Sequence, residues 1–76
     1  MIHIRKRFRK PANIRGFIVK PGYYEVVNEE NKVGYSSGWV KGNLIYCYFF
    51  EPIFGKWMSG WYVLSDESLK RILKDI

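Results

Sequence analysis

The chain has 76 residues, with 13 Lys and Arg against 7 Asp and Glu and a net charge of +6. This length fits one small domain over residues 1–76 and excludes the large catalytic architectures, such as the (β/α)₈ barrel and the doubly wound dinucleotide-binding fold. Aromatic residues make up 18% of the chain, which supplies enough apolar surface to argue against intrinsic disorder. The single Cys and single His exclude an internal disulfide and a zinc site built from this chain alone, so no metal or cofactor is expected.

The positive charge is concentrated near the N-terminus. Residues 1–20 contain no acidic residue, whereas six basic and seven acidic residues nearly balance over residues 21–76. The N-terminal cations, called the basic strip below, are Arg5, Lys6, Arg7, Arg9, Lys10, Arg15 and Lys20. A cluster of this kind favours a polyanionic partner, because arginine binds phosphate bidentately and dense cations attract a phosphate backbone.

The first predicted element is a strand over residues 2–9, because apolar and basic residues alternate there. The alternation places His3, Arg5, Arg7 and Arg9 on one face, about 7 Å apart. Residues 1–10 thus form either the first strand of the domain or a basic arm. A strand period is not that of an amphipathic membrane-binding helix, so no membrane partner is expected.

Further short strands follow, separated by turn signals. The segment 44–50 is apolar on both faces, which is typical of a central strand. The other predicted strands are 14–20, 23–28, a weaker one in 32–40, and a strand or hairpin in 53–64. Turns are expected at Pro21-Gly22, residues 29–31, residues 41–43, Gly55-Lys56 and Ser59-Gly60.

The C-terminal segment changes to a helical period. The apolar residues Leu69, Ile72, Leu73 and Ile76 fall at helical spacing, and Ser65 or Asp66 can cap a helix over residues 66–75. Such a short helix needs to dock its apolar stripe on the sheet. The predicted fold is mainly β: an SH3-like barrel or a curled antiparallel sheet of five or six strands, capped by this helix.

Two patterns are compatible with catalysis but lack its context: a G-x-S-x-G motif and a Cys–His pair. Residues 34–38 match G-x-S-x-G, yet a nucleophile elbow requires a strand–turn–helix in a doubly wound sheet. Cys47 lies in the most apolar strand, which is typical of a buried, inert thiol, and His3 lies on the basic face. We therefore predict a non-enzymatic protein without catalytic residues or a small-molecule substrate.

Tryptophans supply the second feature of the candidate site. Single-strand-binding proteins combine a cationic groove with exposed aromatic rings, and Trp39, Trp57 and Trp61 are the candidates for stacking on bases. The sequence predicts a nucleic-acid-binding protein, of DNA or RNA, that uses the basic strip and these rings. The same rings would also fill the core of a small barrel.

A protein-binding module is the alternative. Here the strip would meet an acidic surface and aromatic anchors would supply affinity, and homodimerisation through an edge strand belongs to the same class. Abundant residues with AT-rich codons suggest an origin in an AT-rich bacterium, archaeon, plasmid or phage. A phage- or plasmid-encoded inhibitor of a host protein or nucleoprotein complex is one example of such a module. Because no secretory signal is evident, a cytoplasmic location is expected.

Overall fold

The computed structural model describes residues 1–75. Within them the chain forms eight strands and one helix. The elements are β1 (His3–Arg7), β2 (Ala12–Ile14), β3 (Phe17–Val19), β4 (Tyr24–Val27), β5 (Val33–Ser36), β6 (Val40–Lys41), β7 (Leu44–Glu51), β8 (Lys56–Val63) and α1 (Asp66–Asp75).

Six of the strands form one antiparallel sheet. The order is β1-β4-β5-β7-β6, and β8 pairs with β7 on the side away from β5 and β6. The sheet curls until the start of β1 reaches the end of β8, where the Ile2 N–H donates to the Val63 carbonyl at 2.7 Å. The Ser65 N–H in turn donates to the Ile2 carbonyl at 2.9 Å. The prediction of a mainly β fold, a curled sheet with one C-terminal helix, is confirmed.

The core lies between the concave face of the sheet and α1. Its buried members are Ile2, Ile4, Tyr24, Val26, Ile45, Cys47, Phe49, Leu64 and Ile72. Of the two predicted caps, Ser65 and Asp66, it is Ser65 that caps the helix, because its hydroxyl accepts the Ser68 N–H at 3.3 Å. Ile72 enters the core as expected, but Leu73 is exposed, so the buried stripe is narrower than predicted. Ile76 lies outside the described residues.

A second apolar layer covers the convex face of the sheet. The residues 14–20 do not form one strand, because β2 and β3 make a hairpin whose turn is Arg15-Gly16. Both turn residues have positive φ, 50° and 83°, as a type I′ hairpin turn requires. The hairpin carries Phe17 onto the sheet, where its ring centroid lies 4.8 Å from that of Trp57 and 5.0 Å from that of Tyr48.

Of the two alternatives predicted for the segment 53–64, a strand or a hairpin, the structure has one strand, β8, preceded by a turn. β8 pairs with β7 without interruption, and Ser59 and Gly60 lie opposite Tyr48 and Cys47. The turn predicted at Ser59-Gly60 is therefore wrong, because the continuous partner strand keeps these two small residues extended. The turn preceding β8 contains Gly55, with φ of 63°.

Candidate nucleic-acid interface

β1 departs from regular alternation at Arg5. Ile4 lies opposite Val26 and Lys6 lies opposite Glu25, so Arg5 is the extra residue of a β-bulge. The bulge turns Arg7 onto the same face as Ile4, towards the helix, while Arg5 stays on the opposite face. The prediction that Arg5 and Arg7 share one face is therefore wrong, because an extra residue in one strand leaves no trace in the alternation of the sequence.

The basic residues of β1 line a groove of about 700 Å³ that also includes the Pro21-Gly22 turn and the end of α1. β1 and the residues after it contribute Arg5, Lys6, Arg7, Phe8 and Arg9, and α1 contributes Arg71 and Asp75. The groove thus has five cations and one carboxylate in its walls. We call it the basic groove. Arg71 could not be found from the sequence, because no local pattern links a helical arginine to the N-terminal strand.

Two arginines of the basic groove are held by carboxylates of the protein. The Arg5 Nε donates to Glu25 Oε1 at 2.7 Å, and Glu25 is itself buried. The Arg7 guanidinium lies 3.6 Å from Asp75, which also accepts the Tyr24 hydroxyl at 2.7 Å. Burial, and next the hydrogen bond to Asp75, raise the pKa of the Tyr24 hydroxyl. These contacts fix the positions of both arginines and reduce the charge that they present.

Three other cations of the groove have no acid within ion-pair distance among residues 1–75: Lys6, Arg9 and Arg71. The Lys6 ammonium lies 4.8 Å from the centroid of the Phe8 ring. Phe8 packs edge-on against Tyr35, with ring centroids 5.6 Å apart. The Phe8 ring therefore anchors the wall of the groove to the convex side of the sheet. The three cations Lys6, Arg9 and Arg71 remain accessible to an anion.

The remaining cations of the basic strip do not line this groove. Lys10 and Lys20 are exposed; Lys10 precedes β2 in the chain and Lys20 follows β3. Arg15 borders a second, smaller groove of about 290 Å³ together with Trp57 and Phe50. Its guanidinium lies 4.4 Å from the centroid of the Phe50 ring. The structure therefore brings together four of the seven predicted cations and leaves three outside.

The three predicted tryptophans have different surroundings. Trp57 packs between Phe17 and Phe50, and its Nε1 donates to the Arg15 carbonyl at 3.2 Å, so it holds the β2–β3 hairpin to the sheet. Trp39 and Trp61 are 60% and 38% exposed, and their ring centroids lie 4.9 Å apart. Tyr46 completes this exposed aromatic cluster at 5.5 Å and 5.3 Å from them.

The residues of the catalytic patterns have structural partners. Ser36 of the G-x-S-x-G pattern is fully buried; its hydroxyl donates to the Tyr46 carbonyl at 2.7 Å and accepts the Gly38 N–H at 3.0 Å. Burial raises the pKa of the Cys47 thiol to about 12, which disfavours the reactive thiolate. Within residues 1–75, no three His, Cys, Asp or Glu side chains are grouped closely enough to hold a metal ion.

The described part of the chain has no helix with the length and apolarity needed to cross a membrane. Comparison with protein-family models, with curated proteins and with solved structures finds no match to this chain.

Proposed function

We propose that the chain is a small non-enzymatic nucleic-acid-binding protein whose basic groove holds the phosphate backbone. The observation that carries this proposal is the convergence of cations from two distant segments. Arg71 of α1 joins Lys6 and Arg9 in one groove, although Arg71 lies 62 positions after Arg9 in the chain. Cations that served only to keep the edge strand β1 soluble would not require an additional arginine from α1.

The groove is suited to phosphates rather than to base edges. Its walls are dominated by arginine and lysine, which bind phosphate and carry little sequence information by themselves. Binding should therefore depend little on sequence and strongly on salt, because each phosphate contact releases counterions. The exposed cluster of Trp39, Tyr46 and Trp61 would supply stacking for unpaired bases, which favours a single strand.

The test is a titration of fluorescent single-stranded and double-stranded oligonucleotides, followed by anisotropy and by tryptophan emission at two salt concentrations. We expect binding that weakens steeply with salt, and quenched tryptophan emission with the single strand. Absence of binding at low salt would overturn the proposal.

A charge-matched pair of variants locates the binding site. The variant Arg9→Glu/Arg71→Glu changes two groove cations that have no acidic partner among residues 1–75. The control Lys41→Glu/Lys56→Glu makes the same change in net charge at exposed positions elsewhere. Loss of two phosphate contacts should reduce the affinity of the groove variant about tenfold or more beyond that of the control. Equal losses would mean that overall charge, and not the groove, controls binding.

A protein-binding module is the second candidate, and the β7–β8 turn favours it. Ile53 and Phe54 in this turn are 86% and 67% exposed, which suits a hydrophobic contact with another protein. In this case the basic groove would meet an acidic surface, as in a phage- or plasmid-encoded inhibitor of a host protein. A stoichiometric complex that survives nuclease treatment, and that Ile53→Ser/Phe54→Ser disrupts, would select this alternative.

A further inference from the structure

The outer edge of β8 is long and unpaired. β8 pairs with β7 at eight consecutive positions, from Lys56 opposite Glu51 to Val63 opposite Leu44. Within residues 1–75, no strand pairs with the other side of β8, and the bridge between Ile2 and Leu64 lies beyond its end. This edge is therefore free along β8 as far as Val63, whose carbonyl accepts the Ile2 N–H.

The direction of the free backbone groups follows from two hydrogen bonds. The Val63 carbonyl points away from β7, because it accepts the Ile2 N–H, whereas the Leu64 N–H points towards β7 and donates to the Asn43 carbonyl at 2.8 Å. Backbone groups alternate between the two sides of a strand. Trp57, Ser59 and Trp61 each lie an even number of residues before Val63. Their N–H and C=O groups thus also point outwards, away from β7.

β8 lacks the features that normally prevent pairing between edges. Its sequence KWMSGWYV contains one charge, Lys56 at its first position, and no proline. Its register with β7 is uninterrupted, so it has no bulge. Met58 and Val63 are 43% and 44% exposed. A long, regular and largely uncharged edge of this kind is a template for pairing with another strand.

We propose that β8 pairs antiparallel with β8 of a second copy of this chain, about a two-fold axis beside Ser59, so that one sheet continues across the dimer. In this register the two Ser59 residues face each other and Trp57 faces Trp61 of the partner subunit. Met58 faces Gly60, the one residue of the strand without a side chain, which leaves room for the methionine. The two Lys56 residues lie at opposite ends of the interface.

The match of the strand to itself favours a second copy over an unrelated peptide. Antiparallel pairing about a two-fold axis uses the same surface on both subunits. Each outward N–H of Trp57, Ser59 and Trp61 finds a carbonyl on an identical strand, and no like charges come together. The proposal does not depend on nucleic-acid binding, because the pairing uses backbone groups of β8 and the basic groove is formed by β1, the Pro21-Gly22 turn and α1. Trp61 is the one residue shared by β8 and the exposed aromatic cluster.

Oligomeric state provides the first test. Nuclease-treated protein in high salt, which removes dimers bridged by nucleic acid, is followed by sedimentation velocity over a concentration series. We expect a species of twice the 9.1 kDa chain mass that dissociates on dilution. Ser59→Pro removes an outward N–H but no bond to β7, and should give a folded monomer by circular dichroism. The control Ser59→Ala, which also loses the hydroxyl contact with Tyr46, should remain a dimer.

Cross-linking tests the register and does not depend on the proline variant folding. Opposed residues in a hydrogen-bonded pair have Cα atoms about 5.5 Å apart, within the range of a disulfide. Ser59→Cys should therefore form a disulfide-linked dimer under mild oxidation, whereas Ser37→Cys, at an exposed site outside β8, should not. A wild-type monomer at every concentration, a dimer that persists in Ser59→Pro, or equal cross-linking of the two cysteine variants would each overturn the proposal.

Discussion

β1 and β8 lie at opposite edges of one sheet and differ in how their backbone groups are protected from pairing with another strand. β1 is protected by basic side chains, by the bulge at Arg5 and by α1, where the Ser68 hydroxyl accepts the Ile4 N–H at 3.0 Å. β8 has one charge and a regular register, and among residues 1–75 no strand pairs with its outer side. Because the bulge and the helix already protect β1, its charge density exceeds what edge protection needs. The comparison favours a binding role for the charges of β1 and a pairing role for the edge of β8.

Proline substitution at neighbouring positions tests the two sides of β8, and Gly60→Pro has the largest expected effect. By parity the Gly60 N–H points towards β7, where it lies opposite the buried Cys47. Loss of this bond leaves a buried carbonyl without a donor, so Gly60→Pro should lower the free energy of unfolding on the order of 3 kcal/mol. Urea denaturation of monomeric protein at low concentration gives the value. Equal stability of Gly60→Pro and Ser59→Pro would show that the assigned parity is wrong.

The stability of the protein should fall at alkaline pH because of Cys47, which lies in β7 between the two edges of the sheet. The pKa of Cys47 is about 12 in the folded protein against 9.0 for an ordinary thiol. Because the pKa is higher in the folded protein, the protonated Cys47 thiol contributes fully to the free energy of unfolding below pH 9. This contribution is lost as the pH rises towards 12. At pH 11 the loss should be about 2–3 kcal/mol.

Cys47→Val isolates the contribution of the thiol. Tyr24, Tyr35 and Tyr48 also have pKa values raised by burial, so both proteins should lose stability above about pH 10, where an ordinary tyrosine ionises. Only the wild type should begin to lose it near pH 9. Thermal unfolding midpoints measured from pH 8 to 11 would show the difference. Parallel curves for the two proteins would contradict the burial of an ionisable thiol at this position.

Ser68 tests the protection of β1 and should have a smaller effect. Its hydroxyl accepts the Ile4 N–H in a buried position, and Ser68→Ala leaves that donor without a partner. The expected destabilisation is about 1–2 kcal/mol, with faster hydrogen exchange at the Ile4 amide. Ser37→Ala, at an exposed position, is the control and should change neither quantity. Unchanged exchange at Ile4 would show that α1 does not protect this edge.

Local patterns in the sequence predicted most of the elements and the class of fold. The apolar segment that became β7, the helix over residues 66–75 and the cap at Ser65 all depend on residues close in the chain. The turn at Arg15-Gly16 was missed because arginine rarely adopts positive φ, so its side chain gave no turn signal. Ser59-Gly60 was misread as a turn because small residues can also lie in a strand held by a long neighbour.

The candidate site was only partly predictable, for a related reason. The alternation of residues 2–9 identified the cations but could not show the bulge that separates Arg5 from Arg7. Nor could it show that Glu25 would pair with Arg5, or that Arg71 would enter the same groove. These features depend on register and on packing between segments far apart in the sequence. The edge of β8 was equally hidden, because pairing order is a property of the whole sheet.

Substitution of Asp75 tests the basic groove beside β1 and has the smallest expected effect. Its carboxylate lies 3.6 Å from the Arg7 guanidinium and accepts the Tyr24 hydroxyl, so it occupies a position where a phosphate oxygen would find the same donors. Asp75→Asn keeps an oxygen for Tyr24 but removes the negative charge. Oligonucleotide affinity at low salt should rise about three- to fivefold, as expected for one partly exposed charge.

Glu30→Gln separates a local effect of Asp75 from an effect of net charge. Glu30 is exposed in the turn between β4 and β5, and its neutralisation changes the net charge by the same amount. We expect a smaller gain in affinity from this variant, because salt screens a charge far from the groove. Anisotropy titrations of both variants against one oligonucleotide provide the comparison. If the two gains are equal, phosphates bind away from Asp75, and Arg7 is held by this carboxylate for the stability of the fold alone.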